Sequence, residues 1–244
     1  ISSAKLEVFG AAGVATTPHR FRFNEDGSAV VFISNDALVT VRVQGGVVTV
    51  NKPKDKPGSN AYYVPGLKRI AEVRKTADIY GCELATWDPA SDGPPTVVRL
   101  EGIKDIPGAW AVSGNGKVVA VSPYMTNDKD KTQVSLFDPS DGKRISLLPL
   151  DDHADFRGYK FLELSMDARV LVGRGTDNGL PSKFMSIDVI QLANTKRTYR
   201  AVRDPFKVLG THNEIVLSSD GTVLIYDGAE GKIIRVDTRT GNEK

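Results

Sequence analysis

Three histidines are the residues of this sequence best suited to metal binding or acid–base chemistry. His19, His153 and His212 each precede a short apolar or aromatic run that is expected to form a strand. Imidazole is a common ligand of transition metals and exchanges protons near neutral pH, so His19 and His212 are candidate metal ligands or general bases. A loop histidine that only hydrogen-bonds the backbone is the alternative, and it is the more common role.

Carboxylates supply the other candidates for chemistry. The segment 151–155 (Asp-Asp-His-Ala-Asp) could hold Ca²⁺ through side-chain oxygens, but it lacks the glycine-containing spacing of known calcium loops and equally fits a solvated turn. Glu163 and Glu214 lie in runs expected to be inner strands. A glycosidase needs two carboxylates roughly 5–9.5 Å apart. Spacing along the chain does not determine that distance, so this pair stays an alternative.

Familiar catalytic motifs are absent from the sequence. It contains no Gly-x-Ser-x-Gly nucleophile elbow, no glycine-rich phosphate loop and no His-Glu-x-x-His zinc motif. Its single cysteine, Cys82, can form no internal disulfide and has no histidine close by in sequence, so an inert core thiol is expected. These absences favour a binding protein over an enzyme that uses one of these motifs.

The composition is that of a globular protein with balanced charge. Of 244 residues, 40% are apolar and 25% charged, and 32 basic residues are balanced by 30 acidic ones, for a formal net charge of +2. This balance offers no general case for nucleic acid or membrane as a partner, and no apolar run approaches the roughly 18 residues that span a bilayer. Because the chain begins at Ile1 rather than Met, we expect a soluble processed product or an excised domain, whose compartment is unknown.

One part of the chain is rich in basic side chains. They are Lys52, Lys54, Lys56, Lys68, Arg69, Arg74 and Lys75. A phosphate-binding patch is one interpretation. The other, which we favour, is that lysines along a loop and a strand edge discourage pairing with another sheet. Nucleic acid is therefore not an expected partner.

The elements that position all these residues are expected to be strands. No stretch longer than about ten residues has apolar positions at the spacing of an amphipathic helix. Short β-branched and aromatic runs recur instead, at 30–33, 118–121, 170–172 and 223–226. Turn-forming residues precede them, at 24–27, 113–116, 165–168 and 218–221. The chain is therefore predicted to be all-β.

A second set of turn signatures repeats at a nearly constant period. The aspartates that mark it, Asp88, Asp138, Asp188 and Asp237, are 50, 50 and 49 residues apart. Self-similarity at such a period indicates a repeat architecture. Each repeat can be divided into four antiparallel strands, which is the number in one propeller blade.

We therefore predict a single β-propeller domain over residues 1–244, with five blades of four antiparallel strands. The repeats are placed at approximately 16–52, 58–104, 108–150, 156–204, and 208–244 together with 5–10. The N-terminal strand Leu6–Phe9 is expected to pair with Lys232–Asp237, which would complete the last blade and close the ring. An excerpt of a larger propeller is the alternative.

The turn signatures, with an apolar residue and an aspartate closing the third strand, resemble those of WD-repeat and related β-propeller families over about residues 5–244. The resemblance is architectural, since only Trp87-Asp88 is a true Trp-Asp pair and the period exceeds the roughly 40–45 residues usual in that family. In such propellers the hairpin aspartate caps its own turn, which implies a structural role for all four aspartates. The hairpins also resemble quinoprotein-type propellers, but the docking tryptophans are absent, so no quinone cofactor is expected.

Two functions of different classes fit these features. The first is a non-enzymatic protein- or peptide-binding or scaffolding module whose partner lies at the propeller rim, with no cofactor. Its expected binding residues are His19, Arg20, Trp110, Tyr159 and His212. The alternative is a glycosidase-like or lactonase-like hydrolase, or a lyase, at the channel mouth with a divalent metal on the propeller axis. A sensor or accessory domain of a larger protein is a third option.

Overall fold

The computed structural model describes residues 19–24, 26–34, 37–58, 60–76, 81–103, 107–123, 133–149, 156–177, 185–203, 215–227 and 232–244. These residues form β-strands and one short 3₁₀ turn at Pro65–Leu67. In chain order the strands are β1 (His19–Phe23), β2 (Ala29–Ser34), β3 (Ala37–Arg42), β4 (Val48–Asn51), β5 (Tyr62–Val64), β6 (Arg69–Lys75), β7 (Cys82–Trp87), β8 (Thr96–Leu100), β9 (Pro107–Val112), β10 (Val119–Pro123), β11 (Gln133–Phe137), β12 (Arg144–Pro149), β13 (Phe156–Leu164), β14 (Val170–Asp177), β15 (Met185–Gln191), β16 (Lys196–Arg203), β17 (Ile215–Leu217), β18 (Val223–Asp227) and β19 (Ile233–Asp237).

Consecutive strands form five sheets, and the fold is an all-β five-bladed β-propeller, as the repeat predicts. Four sheets have four strands, β1–β4, β5–β8, β9–β12 and β13–β16, and the described part of the fifth has three, β17–β19. The chain divides into two compact units, one mainly of the first two sheets and one of the last three. A single domain over residues 1–244 stays a prediction. No helix formed by the described residues is long and apolar enough to cross a membrane.

The turn after the first strand has the same chemistry in four of the sheets. A polar side chain begins each turn, and these residues are Asn24, Ser113, Ser165 and Ser218. The side-chain oxygen accepts a hydrogen bond from the backbone N–H five residues later, at 2.8–3.0 Å. This hydrogen bond links the two ends of the turn. It therefore fixes the position at which each of these short polar segments reverses the chain.

Three of the four periodic aspartates cap hairpin turns, and the fourth does not. The Oδ1 atoms of Asp88, Asp138 and Asp237 accept the backbone N–H two residues later, at 2.8–2.9 Å. The expectation that Asp188 caps a turn was wrong, because β15 continues three residues beyond it to Gln191 and places Asp188 in the middle of a strand. The hairpin turn of this sheet lies after the end of β15. Asn194 caps that turn, because its side-chain oxygen accepts the backbone N–H of Lys196 at 3.0 Å.

Each unit has its own hydrophobic core. In the first unit the buried residues come from both sheets, and they are Val31, Ile33, Leu38, Ala61, Tyr63, Ile70, Ala85 and Trp87. In the second unit the sheet β13–β16 is buried on both faces, because alternate residues of a strand point in opposite directions. Leu171 packs toward the sheet β9–β12, whereas Val170 and Val172 pack toward β17–β19.

The free edge of β19 is paired with the last residues of the chain. Arg235 and Lys244 exchange backbone hydrogen bonds in both directions, at 2.8 and 3.3 Å, and Val236 forms an antiparallel bridge with Glu243. The strand Leu6–Phe9, predicted to pair with this edge, lies outside the described residues. Its pairing with this edge stays a prediction.

Candidate functional site

The predicted histidine site is only partly covered by the structure. His153 and His212 lie outside the described residues, as do Glu214 and the acidic segment 151–155. His19 and Arg20 begin β1, where their backbone is described and their side chains are not. The metal, general-base and binding roles of these residues therefore stay predictions. Within the described ranges, no three histidine, cysteine, aspartate or glutamate side chains are grouped so that they could hold a metal ion.

The predicted aromatic binding residues are buried. Trp110 is 8% exposed in β9, and Tyr159 is 2% exposed in β13. Tyr62 and Tyr63, two further aromatics near the start of an inner strand, are 6% and 5% exposed. Packing accounts for all four positions, and contact of Trp110 or Tyr159 with a partner stays a prediction that would require these side chains to become accessible.

A buried charged cluster, which we name the Asp188 cluster, lies between the sheets β9–β12 and β13–β16. Its members are Asp188, Tyr159, Arg200 and Arg197. The Asp188 carboxylate is fully buried and accepts hydrogen bonds from Nε and Nη2 of Arg200 at 2.8 and 3.0 Å. Tyr159 Oη donates to its Oδ2 at 2.8 Å, and Arg197 Nε lies 3.2 Å from Oδ1. One carboxylate thus joins β13, β15 and β16.

Strand register brings these side chains together. Gly173 of β14 pairs with Asp188 of β15, which in turn pairs with Arg200 of β16. A Cβ on Gly173 would lie 2.6 Å from the Tyr159 ring, so the ring rests directly on the glycine backbone. Because glycine leaves this position open, Tyr159 can extend across β14 to reach Asp188.

Burial determines the protonation behaviour of the cluster. It raises the pKa of Asp188 to about 6, with the charge of Arg197 and the hydrogen bond from Tyr159 acting in the opposite direction. Burial and the neighbouring Asp188 charge raise the pKa of Tyr159 well above its ordinary value, so the phenol remains a hydrogen-bond donor. With its carboxylate shielded from solvent, the cluster holds the strands β13, β15 and β16 together.

The sequence did not predict this cluster. The period of the repeat assigned Asp188 to a turn, Tyr159 was expected to be an exposed anchor, and nothing singled out Arg200 or Arg197. One usable signal was present: Gly173 and Gly175 follow the apolar run 170–172 within one strand, and a glycine inside a strand often marks close approach of another group.

Substituting Gly173 with alanine is expected to lower the free energy of unfolding by about 1–3 kcal/mol, the range for overpacking a core. The added Cβ would displace the Tyr159 ring and so weaken the hydrogen bond from Tyr159 Oη to Asp188. Urea denaturation measures the loss. In a Tyr159→Leu background the same substitution should be less destabilising, and equal losses in both backgrounds would contradict the contact described.

A second charged cluster accounts for part of the basic region. Arg74 Nη1 and Nη2 donate to the two carboxylate oxygens of Asp55, both at 3.1 Å, and its Nε donates to Glu83 at 2.8 Å. The bonds to Asp55 raise the pKa of Arg74. Arg69 Nη1 likewise donates to Thr96 Oγ1 at 2.8 Å. These guanidiniums hold the connector 52–58 and neighbouring strands, which favours a structural role over a phosphate patch.

Three turns of the second unit form a continuous surface, which we name the turn surface. It consists of 113–117, 165–169 and 218–222. The backbone N–H of Asn115 donates to the carbonyl of Met166 at 2.8 Å, and the N–H of Met166 donates to the carbonyl of Ser219 at 2.9 Å. Neighbouring sheets are thereby joined at their turns. Met166, at the centre, is 40% exposed.

Comparison with known proteins identifies the fold alone. No protein-family model and no curated protein matches the sequence. Hydrazine synthase from Kuenenia stuttgartiensis is structurally similar, with a TM-score of 0.57 and 17% identity over 90% of this chain and 66% of that one. A putative TolB from Agrobacterium tumefaciens gives a TM-score of 0.60 and 12% identity over 93% of this chain and 79% of that one. The chain thus has a β-propeller architecture like those of TolB-like and hydrazine synthase propellers, and these similarities assign no family.

Proposed function

We propose that this chain is a non-enzymatic protein- or peptide-binding or scaffolding module. The observation that carries the proposal is the turn surface, in which backbone hydrogen bonds hold three turns in one arrangement. A surface that is already ordered loses little conformational entropy on binding, so more of the contact energy appears as affinity. Loops placed by a rigid scaffold are a common location for binding residues.

The exposed side chains of the turn surface suit a peptide partner. Met166 supplies an exposed, flexible apolar side chain, a type that adapts to different partners. The same three turns carry charged residues of both signs, and the exposed ones are Lys117, Asp167, Arg169 and Asp220. An apolar centre with a charged periphery resembles the general arrangement of protein interfaces.

The residues predicted at the starts of inner strands belong to the same proposal as a second surface. His19, Arg20 and His212 are its members by sequence, and Trp110 and Tyr159 would join them only if they became accessible. The two surfaces can be distinguished by substitution, because Met166 lies in a turn that follows β13, whereas His19 and Arg20 begin β1.

Peptides selected from a random phage-displayed library on the immobilised chain are expected to bind through Met166. In Met166→Asp their Kd should rise at least tenfold, equivalent to about 1.4 kcal/mol, since a charge replaces the apolar contact. Fluorescence anisotropy with labelled peptide measures the change, and an unchanged thermal midpoint shows that the fold is retained.

Ile145→Asp is the matched control, because Ile145 is also exposed, at 56%, but lies on β12 away from the turns. The selected peptides should bind Ile145→Asp with the same Kd as the unsubstituted chain. A loss in His19→Ala instead of Met166→Asp would move the site to the strand starts. Failure to select any peptide would contradict the binding function itself.

A further inference from the structure

Ser186 carries a buried hydroxyl for which the described residues provide no hydrogen-bond partner. The residue is 1% exposed. It lies in β15 two residues before Asp188, so both side chains project from the same face of the sheet. A buried hydroxyl that makes no hydrogen bond destabilises a fold, and in native proteins such groups are commonly satisfied by ordered water.

The Asp188 carboxylate can accept one more hydrogen bond. A carboxylate offers about four lone-pair positions. Tyr159 Oη donates one hydrogen bond to it and Arg200 donates two, while Arg197 makes an ion pair with Oδ1. The remaining position lies on Oδ1, which accepts the hydrogen bond of Arg200 Nε and can accept a second one.

A glycine of the neighbouring strand lies beside each of these two groups. Ser186 pairs with Gly175 and Asp188 pairs with Gly173 on the neighbouring strand β14. The Tyr159 ring rests on Gly173. Gly175 contributes no side chain next to Ser186, so the space between the two polar groups is bordered by backbone on this side.

We propose that one buried water molecule binds between Ser186 and Asp188. Water donates to the free position of the carboxylate and also exchanges a hydrogen bond with Ser186 Oγ, so one small molecule satisfies both requirements. The site lies between two packed sheets, where a polar setting with at least two partners is what a buried water needs. The water extends the Asp188 cluster from Tyr159 to Ser186.

The sign of the stability change in Ser186→Ala tests the proposal. If water binds there, the alanine variant loses a satisfied hydrogen bond and its thermal midpoint should fall by about 2–4 °C, the shift that 1 kcal/mol produces in a domain of this size. If the hydroxyl has no partner, its removal should raise the midpoint. A raised or unchanged midpoint overturns the proposal.

Ser122→Ala is the matched control. Ser122 is also fully buried, and its Oγ accepts the backbone N–H of Tyr159 at 3.1 Å, so its removal should lower the midpoint. A high-resolution crystal structure provides an independent measurement. We expect a water within hydrogen-bond distance of Ser186 Oγ and the Asp188 carboxylate, absent in Ser186→Ala, and density without that water would overturn the proposal.

Discussion

Replacing Asp188 with alanine is expected to lower the free energy of unfolding by about 3 kcal/mol at pH 7, the low end of the range for breaking a buried ion pair. The substitution leaves two guanidiniums without their carboxylate and removes the acceptor of Tyr159 Oη. Arg200 and Arg197 are 22% and 30% exposed, so water partly solvates them and keeps the loss at the low end. Urea denaturation followed by far-ultraviolet circular dichroism measures the change.

Asp141→Ala is the control for this prediction. Asp141 pairs with Lys143 at 3.0 Å, but its side chain is 45% exposed, and an exposed ion pair contributes little to stability. Its unfolding midpoint should stay close to that of the unsubstituted chain. Asp188→Asn retains the shape and one acceptor, so it should fall between the two. Equal midpoints for Asp188→Ala and Asp141→Ala would show that the Asp188 cluster does not hold its strands together.

The architecture could be predicted because its signals are local. A serine that accepts the N–H five residues later, as Ser113 and Ser165 do, depends only on residues within one turn. The same is true of Asp138 and Asp237, which cap the hairpins in which they occur. Turn chemistry of this kind can be recognised in the sequence, and its repetition was sufficient to predict five blades.

The Asp188 cluster could not be predicted in the same way, because register and packing create it. An aspartate that caps a turn and one that is buried in a strand have the same side chain. The spacing of the repeat was the reason for predicting that Asp188 caps a turn. Its partners Tyr159 and Arg200 are 29 and 12 residues away. They meet only through the pairing of β13, β14, β15 and β16, whose lengths exceed those of the corresponding strands β9–β12.

Aromatic residues show the same limit. Trp110 and Tyr159 occupy sequence positions compatible with either an exposed surface or a core, and the choice depends on which sheet packs against them. Tyr159 contributes to the core shared by the sheets β9–β12 and β13–β16. A pattern of residue types along one strand does not contain that information, which explains why a predicted anchor is buried.

Trp87 is the second residue whose loss is expected to have a large effect. Trp87→Ala should lower the free energy of unfolding by about 3–5 kcal/mol, the range for removing a buried large aromatic side chain. Trp87 is 1% exposed in the core of the first unit, and its Nε1 donates to the Asp55 carbonyl at 2.6 Å. The Arg74 guanidinium lies 5.6 Å from its ring centroid, so the ring also supports the Arg74–Asp55 pair.

Trp87→Phe separates packing from the hydrogen bond, because phenylalanine retains most of the apolar surface and lacks the donor. We expect a smaller loss, about 1–3 kcal/mol, combined with faster hydrogen exchange at the Gly58 amide, which donates to Glu72 at 3.0 Å within the connector's attachment to the second sheet. Trp110→Phe, a similarly buried tryptophan in the other unit, should leave exchange at Gly58 unchanged. Equal protection of the Gly58 amide from hydrogen exchange in both variants would contradict this role of the indole. Trp87 would then only pack in the core, and the ion pair of Arg74 with Asp55 would be sufficient to hold the connector.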